Sequence, residues 1–177
     1  DDCSSRGLGD VYKRQHSVYT NGFRIEEKKK RRKLLLNKAI EFKIDKVYFN
    51  KLTKSENVLN QDGEEIDYLK VTTEGPKSKS FAYCSDTAYF DKLADYIKCV
   101  DLLYCETTFL EKDKDKALST LHSTTTDAAN LANKGAVKQL LIGHFSSRYD
   151  DYSNFLKEVK VIFDNVILSE EGKKIQV

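Results

Sequence analysis

Three side chains that are able to take part in catalysis stand directly after apolar, strand-like runs of the sequence. They are Asp86, Glu106 and His144. In open α/β sheets, ligands bind beyond the carboxyl ends of the strands. A single ending of this kind is ordinary, but three from parallel strands would meet at one edge of a sheet. We therefore expect these side chains to share a site.

The chain has only three histidines, and a second one also lies in a context that suggests chemistry. His122 stands just before a helix start, where Ser123 or Thr124 is a natural N-cap and Asp127 completes a capping pattern. An imidazole held there is suited to proton transfer near neutral pH. The alternative interpretation is a capped surface helix that carries an incidental histidine.

The elements that would position these groups alternate between strands and helices, which predicts an α/β fold. Strands are predicted at residues 17–26 (broken at Asn21-Gly22), 81–85, 102–105, 137–143 and 165–168. Helices are predicted at residues 30–42, 90–98, 124–134 and 152–163. Residues 43–75 are polar and irregular, with a turn at Asp62-Gly63.

Composition narrows the class of protein. The net charge of +2 is close to neutral, but six consecutive cations stand at residues 28–33. There is no apolar stretch long enough to span a membrane and no hydrophobic secretory segment, so we expect no membrane partner. Four cysteines without framework spacing favour a reducing, cytoplasmic location.

The amino-terminal residues differ from the rest. Residues 1–15 share no pattern with the remainder of the chain, and residues 10–15 match the translation of a common transposon-end sequencing adapter. We interpret residues 1–15 as an assembly scar and exclude them from fold reasoning. The chain has no methionine, so we expect that an amino-terminal portion of the natural protein is missing.

Five short segments, taken together and in this order, resemble one family. The segments are residues 16–24, Tyr83-Cys84-Ser85-Asp86-Thr87, Glu106-Thr107-Thr108-Phe109, His122-Ser123-Thr124-Thr125 and Gly143-His144-Phe145-Ser146-Ser147-Arg148-Tyr149. From about residue 16 onward, the sequence is similar to the carboxyl-terminal part of ribonuclease Z, the tRNA 3′-end processing endonuclease. The resemblance implies an α/β fold, namely the carboxyl-terminal part of a metallo-β-lactamase-type αββα sandwich with a protruding basic arm.

The resemblance also implies roles for individual residues. His16, Asp86 and His144 match family ligands of two zinc ions, and imidazole and carboxylate are ligands that zinc favours. His122 matches the proposed proton donor to the leaving 3′ oxygen, and Glu106 would orient it. The implied reaction is hydrolysis of a phosphodiester in precursor tRNA, which removes the 3′ trailer.

RNA contacts are implied in two places. Ser146 and Arg148 stand where donors to RNA phosphate are useful, and the guanidinium fork matches phosphate oxygens. Residues 28–73 occupy the position of the arm, where Lys29, Arg31 and Arg32 would add salt-dependent affinity for tRNA; the alternative is a solvated helix face. The family forms homodimers, and we expect no DNA partner.

The sequence departs from the family pattern at two points. Cys105-Glu106-Thr107-Thr108 stands where the family usually has His-Glu-Ala-Thr, and the His-x-His-x-Asp-His metal motif is absent. We expect the natural protein to be a zinc endoribonuclease, and this chain alone to be inactive and to bind zinc poorly. Two alternatives remain open: a hydrolase of a small phosphodiester or thioester with the same fold, and a non-catalytic fragment that binds RNA or a partner subunit.

Overall fold

The computed structural model describes residues 8–13 and 20–177. The chain forms two compact units. The larger unit comprises the described residues before Lys28 together with Lys79–Val177, and the smaller unit is Lys28–Ser78.

The elements are numbered in chain order. The strands are β1 (Leu8–Lys13), β2 (Asn21–Glu26), β3 (Lys33–Leu34), β4 (Val58–Leu59), β5 (Glu65–Ile66), β6 (Thr72–Thr73), β7 (Ser80–Cys84), β8 (Leu102–Glu106), β9 (Gln139–Gly143) and β10 (Val166–Leu168). The α-helices are α1 (Leu36–Glu41), α2 (Phe49–Thr53), α3 (Tyr68–Val71), α4 (Leu93–Tyr96), α5 (Lys114–Thr120), α6 (Thr125–Lys134) and α7 (Ser153–Ile162). Short 3-10 turns precede α2 (Lys46–Tyr48) and α5 (Glu111–Asp113).

The larger unit is built on a six-stranded mixed sheet with the order β1-β2-β7-β8-β9-β10. β1, β2 and β7 pair antiparallel, whereas β7, β8, β9 and β10 run parallel. In the parallel part, Glu106 lies beside Gly143 in the register of β8 with β9. The carboxyl ends of β7, β8 and β9 therefore lie at the same edge of the sheet.

Helices cover one face of this sheet. Inward-facing strand residues such as Leu103 and Ile142 belong to one buried cluster with Ala128 of α6 and Phe155 of α7. Small residues dominate the buried side of α6, which lets the helix axis approach the sheet closely. This packing fixes the parallel strands, and with them the strand ends that carry the predicted site.

The opposite face carries aromatic side chains that are more exposed. Side chains alternate across a strand, so Tyr83 points away from its buried neighbours Ala82 and Cys84. Tyr83 stacks on Tyr104 of the next strand with ring centroids 4.8 Å apart. Phe23, the antiparallel partner of Tyr83, is 43% exposed. This face is therefore apolar and open to solvent in part.

The smaller unit has a core of its own. Five buried apolar residues form it: Ile44, Leu52, Val58, Ile66 and Val71. The prediction that residues 43–75 are irregular is therefore wrong, because two short helices, a β4–β5 hairpin and β6 lie in this segment. The predicted turn is confirmed: Gly63 has a φ of +81°, a conformation that favours glycine.

Four other element predictions need correction. The predicted helix at 30–42 is restricted to Leu36–Glu41, because Lys33 and Leu34 pair instead with β6. The predicted helix at 90–98 is an α-helix only at Leu93–Tyr96. Asn21-Gly22 does not break a strand but begins β2, and residues 17–19 lie outside the described part.

The fourth correction concerns the amino-terminal residues, which were excluded from the fold. Leu8–Lys13 forms a strand that pairs with β2 along its whole length. The interpretation of residues 1–15 as an assembly scar stays a prediction, since pairing says nothing of origin.

The remaining strand and helix predictions are confirmed within one or two residues. In the larger unit, helix α5 was not predicted from the sequence. Its sequence, KDKALST, has one buried residue, Ala117, so the apolar periodicity that indicates a helix is almost absent.

Candidate active site

The predicted convergence of the three strand ends is confirmed. Glu106 is the last residue of β8, His144 follows β9 directly, and Asp86 follows β7 after one residue. The imidazole Nε2 of His144 lies 3.1 Å from Oδ1 of Asp86, and its Nδ1 lies 4.0 Å from Oε2 of Glu106. The parallel pairing of the three strands is what brings these groups together.

Glu106 is fully buried and accepts hydrogen bonds at both carboxylate oxygens. Its Oε1 accepts from the backbone N–H of Thr87 at 2.8 Å, and Nδ1 of His122 lies 2.8 Å from the same oxygen. Its Oε2 accepts from the hydroxyl of Thr108 at 2.5 Å and from the backbone N–H of Thr108 at 3.3 Å. A buried carboxylate needs such partners, because leaving it unpaired is strongly destabilising.

His122 is held by the corner between α5 and α6. Leu121 before it has a left-handed backbone, and Thr124, the N-cap of α6, forms a reciprocal capping box with Asp127. The hydrogen bond to Glu106 raises the pKa of His122 above its ordinary value and outweighs the opposing effect of burial. The predicted capping pattern is confirmed, and His122 faces the strand ends rather than solvent alone.

Asp86 and His144 share an unusual backbone conformation. Their φ angles are 52° and 62°, in the left-handed region that most side chains avoid. Such strain persists only where the surrounding structure fixes it, and it is concentrated at functional sites. The two residues turn sharply after β7 and β9, and this turn directs their side chains toward each other.

The geometry fits a metal ion. Asp86, His122 and His144 each offer one ligand atom, and these atoms lie within 4.8 Å of one another. Zinc binds imidazole nitrogen and carboxylate oxygen at about 2.0–2.2 Å, so two ligands of one ion lie roughly 3–4 Å apart. The donor types suit a shared cation, and Nε2 of His144 and Oδ1 of Asp86, 3.1 Å apart, have the spacing of two ligands of one ion. The third expected ligand, His16, lies outside the described residues.

Ser146 and Arg148 lie in the loop that follows His144. The backbone N–H of Ser146 donates to the carbonyl of Thr108 at 3.1 Å, which ties this loop to the end of β8. Arg148 is exposed, donates from Nε to the Ser146 hydroxyl at 3.1 Å, and lies with its guanidinium carbon 4.9 Å from the centroid of the Phe109 ring. Both predicted RNA-contact residues are therefore anchored beside the strand ends.

Lys29, Arg31 and Arg32 belong to the smaller unit. Lys29 is exposed, and Arg31 donates to the side-chain oxygen of Asn50 at 2.6 Å. Arg32 is half-buried, donates from Nε to the Thr72 hydroxyl at 2.7 Å and lies over a tyrosine ring. Arg32 therefore helps to hold the unit together, while Lys29 offers its charge to solvent.

Sequence reasoning missed the role of Thr108 in this arrangement. Its side chain is buried at the end of β8 and contacts Glu106, His122 and His144. A hydroxyl two residues after a buried acid, at the end of a central strand, is the signal that was present in Glu106-Thr107-Thr108.

In the described part of the chain, no helix is both long and apolar enough to cross a membrane.

Solved structures define the class of fold. The metallo-beta-lactamase fold protein YhfI from Bacillus subtilis matches 93% of this chain and 48% of its own, with a TM-score of 0.59 and 18% identity. Human tRNase Z, short form, matches 99% of this chain and 44% of its own, with a TM-score of 0.54 and 20% identity. The chain therefore has the α/β architecture of the metallo-β-lactamase fold, as predicted.

Sequence comparison then confirms the resemblance to ribonuclease Z. The chain is 38% identical over 173 residues to Ribonuclease Z of Cytophaga hutchinsonii and 35% identical over 163 residues to Ribonuclease Z of Parabacteroides distasonis. These matches include 96% and 92% of this chain but only 55% and 54% of the relatives, so the chain spans about half of their length. No protein-family model matches the chain.

Proposed function

We propose that this chain is the carboxyl-terminal part of a zinc-dependent endoribonuclease that removes 3′ trailers from precursor tRNA. The observation that carries the proposal is the meeting of Asp86, His122 and His144 at one sheet edge, with Glu106 behind His122. The similarity to proteins named Ribonuclease Z supports RNA as the substrate. Hydrolysis of the phosphodiester leaves a 3′ hydroxyl on the tRNA and a 5′ phosphate on the trailer.

His122 is the proposed proton donor. Its Nδ1 is engaged by Oε1 of Glu106 at 2.8 Å, so Nε2 is the nitrogen that carries the proton toward the leaving 3′ oxygen. The same carboxylate raises the pKa of His122, which increases the protonated fraction near neutral pH. Glu106 acts through His122 by fixing the plane of the ring and favouring the imidazolium.

Asp86 and His144, together with His16, are the proposed zinc ligands of this chain. Two bound zinc ions would supply Lewis-acid stabilisation of the phosphate oxygens and a lowered pKa for bound water. The chain itself contributes preorganisation, because the left-handed backbone at Asp86 and His144 directs both ligands inward before any ion binds.

RNA binding is proposed at two sets of donors. Ser146 and Arg148 would contact phosphates close to the scissile bond, since their loop is tied to the end of β8. Lys29, Arg31 and Arg32 would contact the tRNA body from a basic arm formed by residues 28–73. We also propose a homodimer in the cytoplasm, and light scattering of the purified protein tests the oligomeric state.

The decisive experiment uses a chimera that joins this chain to the part of the Cytophaga hutchinsonii Ribonuclease Z that it does not match. We expect the zinc-loaded chimera to cut precursor tRNA at the 3′ end of the tRNA and release a trailer with a 5′ phosphate. The matched control is His122→Asn, which keeps a polar side chain but removes the proton donor. A folded, zinc-loaded chimera that leaves precursor tRNA uncut would contradict the proposal.

The same experiment separates the alternatives. Hydrolysis of bis(p-nitrophenyl) phosphate without tRNA cleavage would favour a small-phosphodiester hydrolase. Binding of tRNA without hydrolysis of either substrate would favour a non-catalytic RNA-binding fragment. The 177-residue chain alone has three histidines and no His-x-His-x-Asp-His motif, so we propose that it is inactive and binds zinc poorly. Full zinc occupancy together with processing activity would defeat that part.

A further inference from the structure

One exposed arginine beside the candidate site is held by two contacts. Arg148 donates from Nε to the Ser146 hydroxyl at 3.1 Å, and its guanidinium carbon lies 4.9 Å from the centroid of the Phe109 ring. An exposed arginine normally samples many rotamers, so holding its side chain in one of them costs conformational entropy. The two contacts offset part of that cost before any ligand binds.

The aromatic ring beneath Arg148 is itself fixed. Phe109 lies three residues after the end of β8 and is only 4% exposed. Its backbone N–H donates to the carbonyl of Ser123 at 3.3 Å, and its carbonyl accepts from the backbone N–H of Thr125 at 3.0 Å. The Phe109 ring also meets the imidazole of His122 edge-on, with ring centroids 6.3 Å apart. Phe109 therefore provides a rigid aromatic surface beside the candidate site.

The loop that carries Arg148 is anchored to the same region. The backbone N–H of Tyr149 donates to the carbonyl of Ser146 at 3.2 Å, which closes a turn around Arg148. The Tyr149 hydroxyl accepts from the backbone N–H of Leu110, the residue after Phe109, at 3.3 Å. The backbone on both sides of Arg148 is therefore fixed relative to the Phe109 ring.

These contacts use only one of the five N–H donors of the guanidinium. The Nε–H bonds Ser146, and among the described residues no acceptor bonds either Nη group of Arg148 and no carboxylate pairs with it. The Ser146 hydroxyl accepts from Arg148, so its single proton is left to donate elsewhere. The edge formed by Nη1 and Nη2 of this exposed side chain therefore carries unused donors, with the Ser146 hydroxyl beside them.

We propose that Phe109 is a positioning residue for Arg148, and that it holds the guanidinium so that the Nη1–Nη2 edge binds one RNA phosphate through two hydrogen bonds. The guanidinium fork matches the spacing of two phosphate oxygens. The negative face of the Phe109 ring attracts the cation, and the bond to Ser146 restricts its rotation. The phosphate rests on the proposed function, whereas the contact between Phe109 and Arg148 belongs to this chain alone.

The contact is tested by arginine side-chain ¹H–¹⁵N spectra of the 177-residue chain, in which Arg148→Lys identifies the Arg148 signal. The ring current of Phe109 should displace that signal from the position of a free arginine, and Phe109→Leu should return it. Phe155→Leu is the matched control, because Phe155 is a fully buried ring that packs on aromatic rings and has no described cation over it. A wild-type Arg148 signal at the free-arginine position would overturn the proposal.

The consequence is tested by binding of precursor tRNA to the chimera, measured by fluorescence anisotropy across a salt series. Arg148→Ala should weaken binding by about tenfold or more, the usual loss of a hydrogen bond to a charged group. It should also lower the slope of log affinity against log salt by roughly 0.7–0.9, the value for one phosphate. Arg148→Lys keeps the charge without the fork, so the slope should stay while the affinity falls.

Phe109 should act through Arg148. Phe109→Leu should weaken tRNA binding by about two- to fivefold, the value of an exposed cation–π contact. The same substitution should have no further effect once Arg148 is alanine, since the two residues would then share no interaction. Phe109→Tyr keeps the aromatic face and should keep the wild-type affinity. Phe155→Leu is again the control and should leave the affinity unchanged.

Two results would overturn the positioning role: an equal cost of Phe109→Leu with and without Arg148, or equal weakening by Phe109→Leu and Phe155→Leu. The wild-type spectrum and the variants of the exposed Arg148 decide the matter even if Phe109→Leu does not fold. Neither measurement involves cleavage. A chimera that binds tRNA with the expected coupling but leaves it uncut overturns the proposed hydrolysis alone, and one that cuts without the coupling overturns only the role of Phe109.

Discussion

Strand β8 has a buried acid at each end, and the two acids differ in their partners. Before the strand, Asp101 accepts from the backbone N–H and the hydroxyl of Ser80 at 2.8 and 2.9 Å and from Nζ of Lys138 at 2.5 Å. At its carboxyl end, Glu106 is bonded to His122 and, through Thr108, to His144.

The difference shows why burial of an acid does not by itself identify an active site. Asp101 pairs with the ammonium group of Lys138 and with Ser80, so its network holds neighbouring strands together. Glu106 pairs with the imidazole of His122, and this hydrogen bond raises the pKa of the ring. The partner of each acid therefore distinguishes the two ends of β8. The carboxyl end carries candidate catalytic groups, and the amino end carries a network that stabilises the sheet.

The largest effect on activity is expected from Glu106→Gln, at the carboxyl end of β8. The amide cannot stabilise the imidazolium of His122, so the rate of tRNA cleavage by the chimera should fall by about 10²–10⁴-fold, the usual contribution of general acid–base catalysis. Glu111→Gln is the matched control, since Glu111 is partly buried and accepts from the Thr124 hydroxyl at 2.8 Å. Equal losses in both variants would show that burial alone explains the effect.

A smaller effect is expected from Asp101→Asn at the amino end of β8. Loss of the charge-assisted bonds from Lys138 and Ser80 should lower the free energy of unfolding by about 1–3 kcal/mol, while chimera cleavage stays unchanged. Urea unfolding measures the loss. Asp95→Asn, on the exposed side of α4, is the control and should change stability by less than about 0.5 kcal/mol.

The pH dependence of that stability depends on the pKa of Asp101. Burial by itself raises the pKa, but the hydrogen bonds from Lys138 and Ser80 outweigh it and hold the pKa below its ordinary value. A depressed pKa stabilises the fold above the unfolded value of about 3.9, and this contribution disappears as the pH falls through the folded value. The difference between wild type and Asp101→Asn should therefore be full at neutral pH and shrink in acid.

The sequence predicted the carboxyl end of β8 better than the amino end. Three strands ending in Asp86, Glu106 and His144 are visible because strand ends have a local signature in apolar runs. The partners of Asp101 are not, since Ser80 and Lys138 are 21 and 37 residues away and only the parallel register joins them. Thr108 was missed for a different reason: one hydroxyl after an acid is common in sequences, and only the fold brings four polar atoms around it.

The smaller unit was mispredicted for a further physical reason. Its strands have only two residues each, too short for an alternating pattern, and its five core residues are widely spaced in the sequence. Apolar spacing from Leu34 to Ile40 predicted a helix that included the cations before it, yet Arg32 donates its backbone N–H to the carbonyl of Thr53 and its side chain to Thr72. Long-range bonds of this kind override local helix propensity.

The smallest effect is expected from substituting cations of the smaller unit. These cations do not belong to the hydrogen-bond network of Asp101 or of Glu106. Lys29→Ala should weaken tRNA binding by the chimera only a few-fold and lower the slope of log affinity against log salt by roughly 0.7–0.9, the value for one phosphate contact. Arg32→Ala should also reduce stability, because Arg32 bonds Thr72 inside the unit. Lys46→Ala, an exposed lysine outside the run, is the matched control.

Fluorescence anisotropy across a salt series measures each slope. An equal change for Lys29 and Lys46 would mean that the unit contributes only diffuse charge, whereas a change for Lys29 alone places an RNA phosphate beside the basic run.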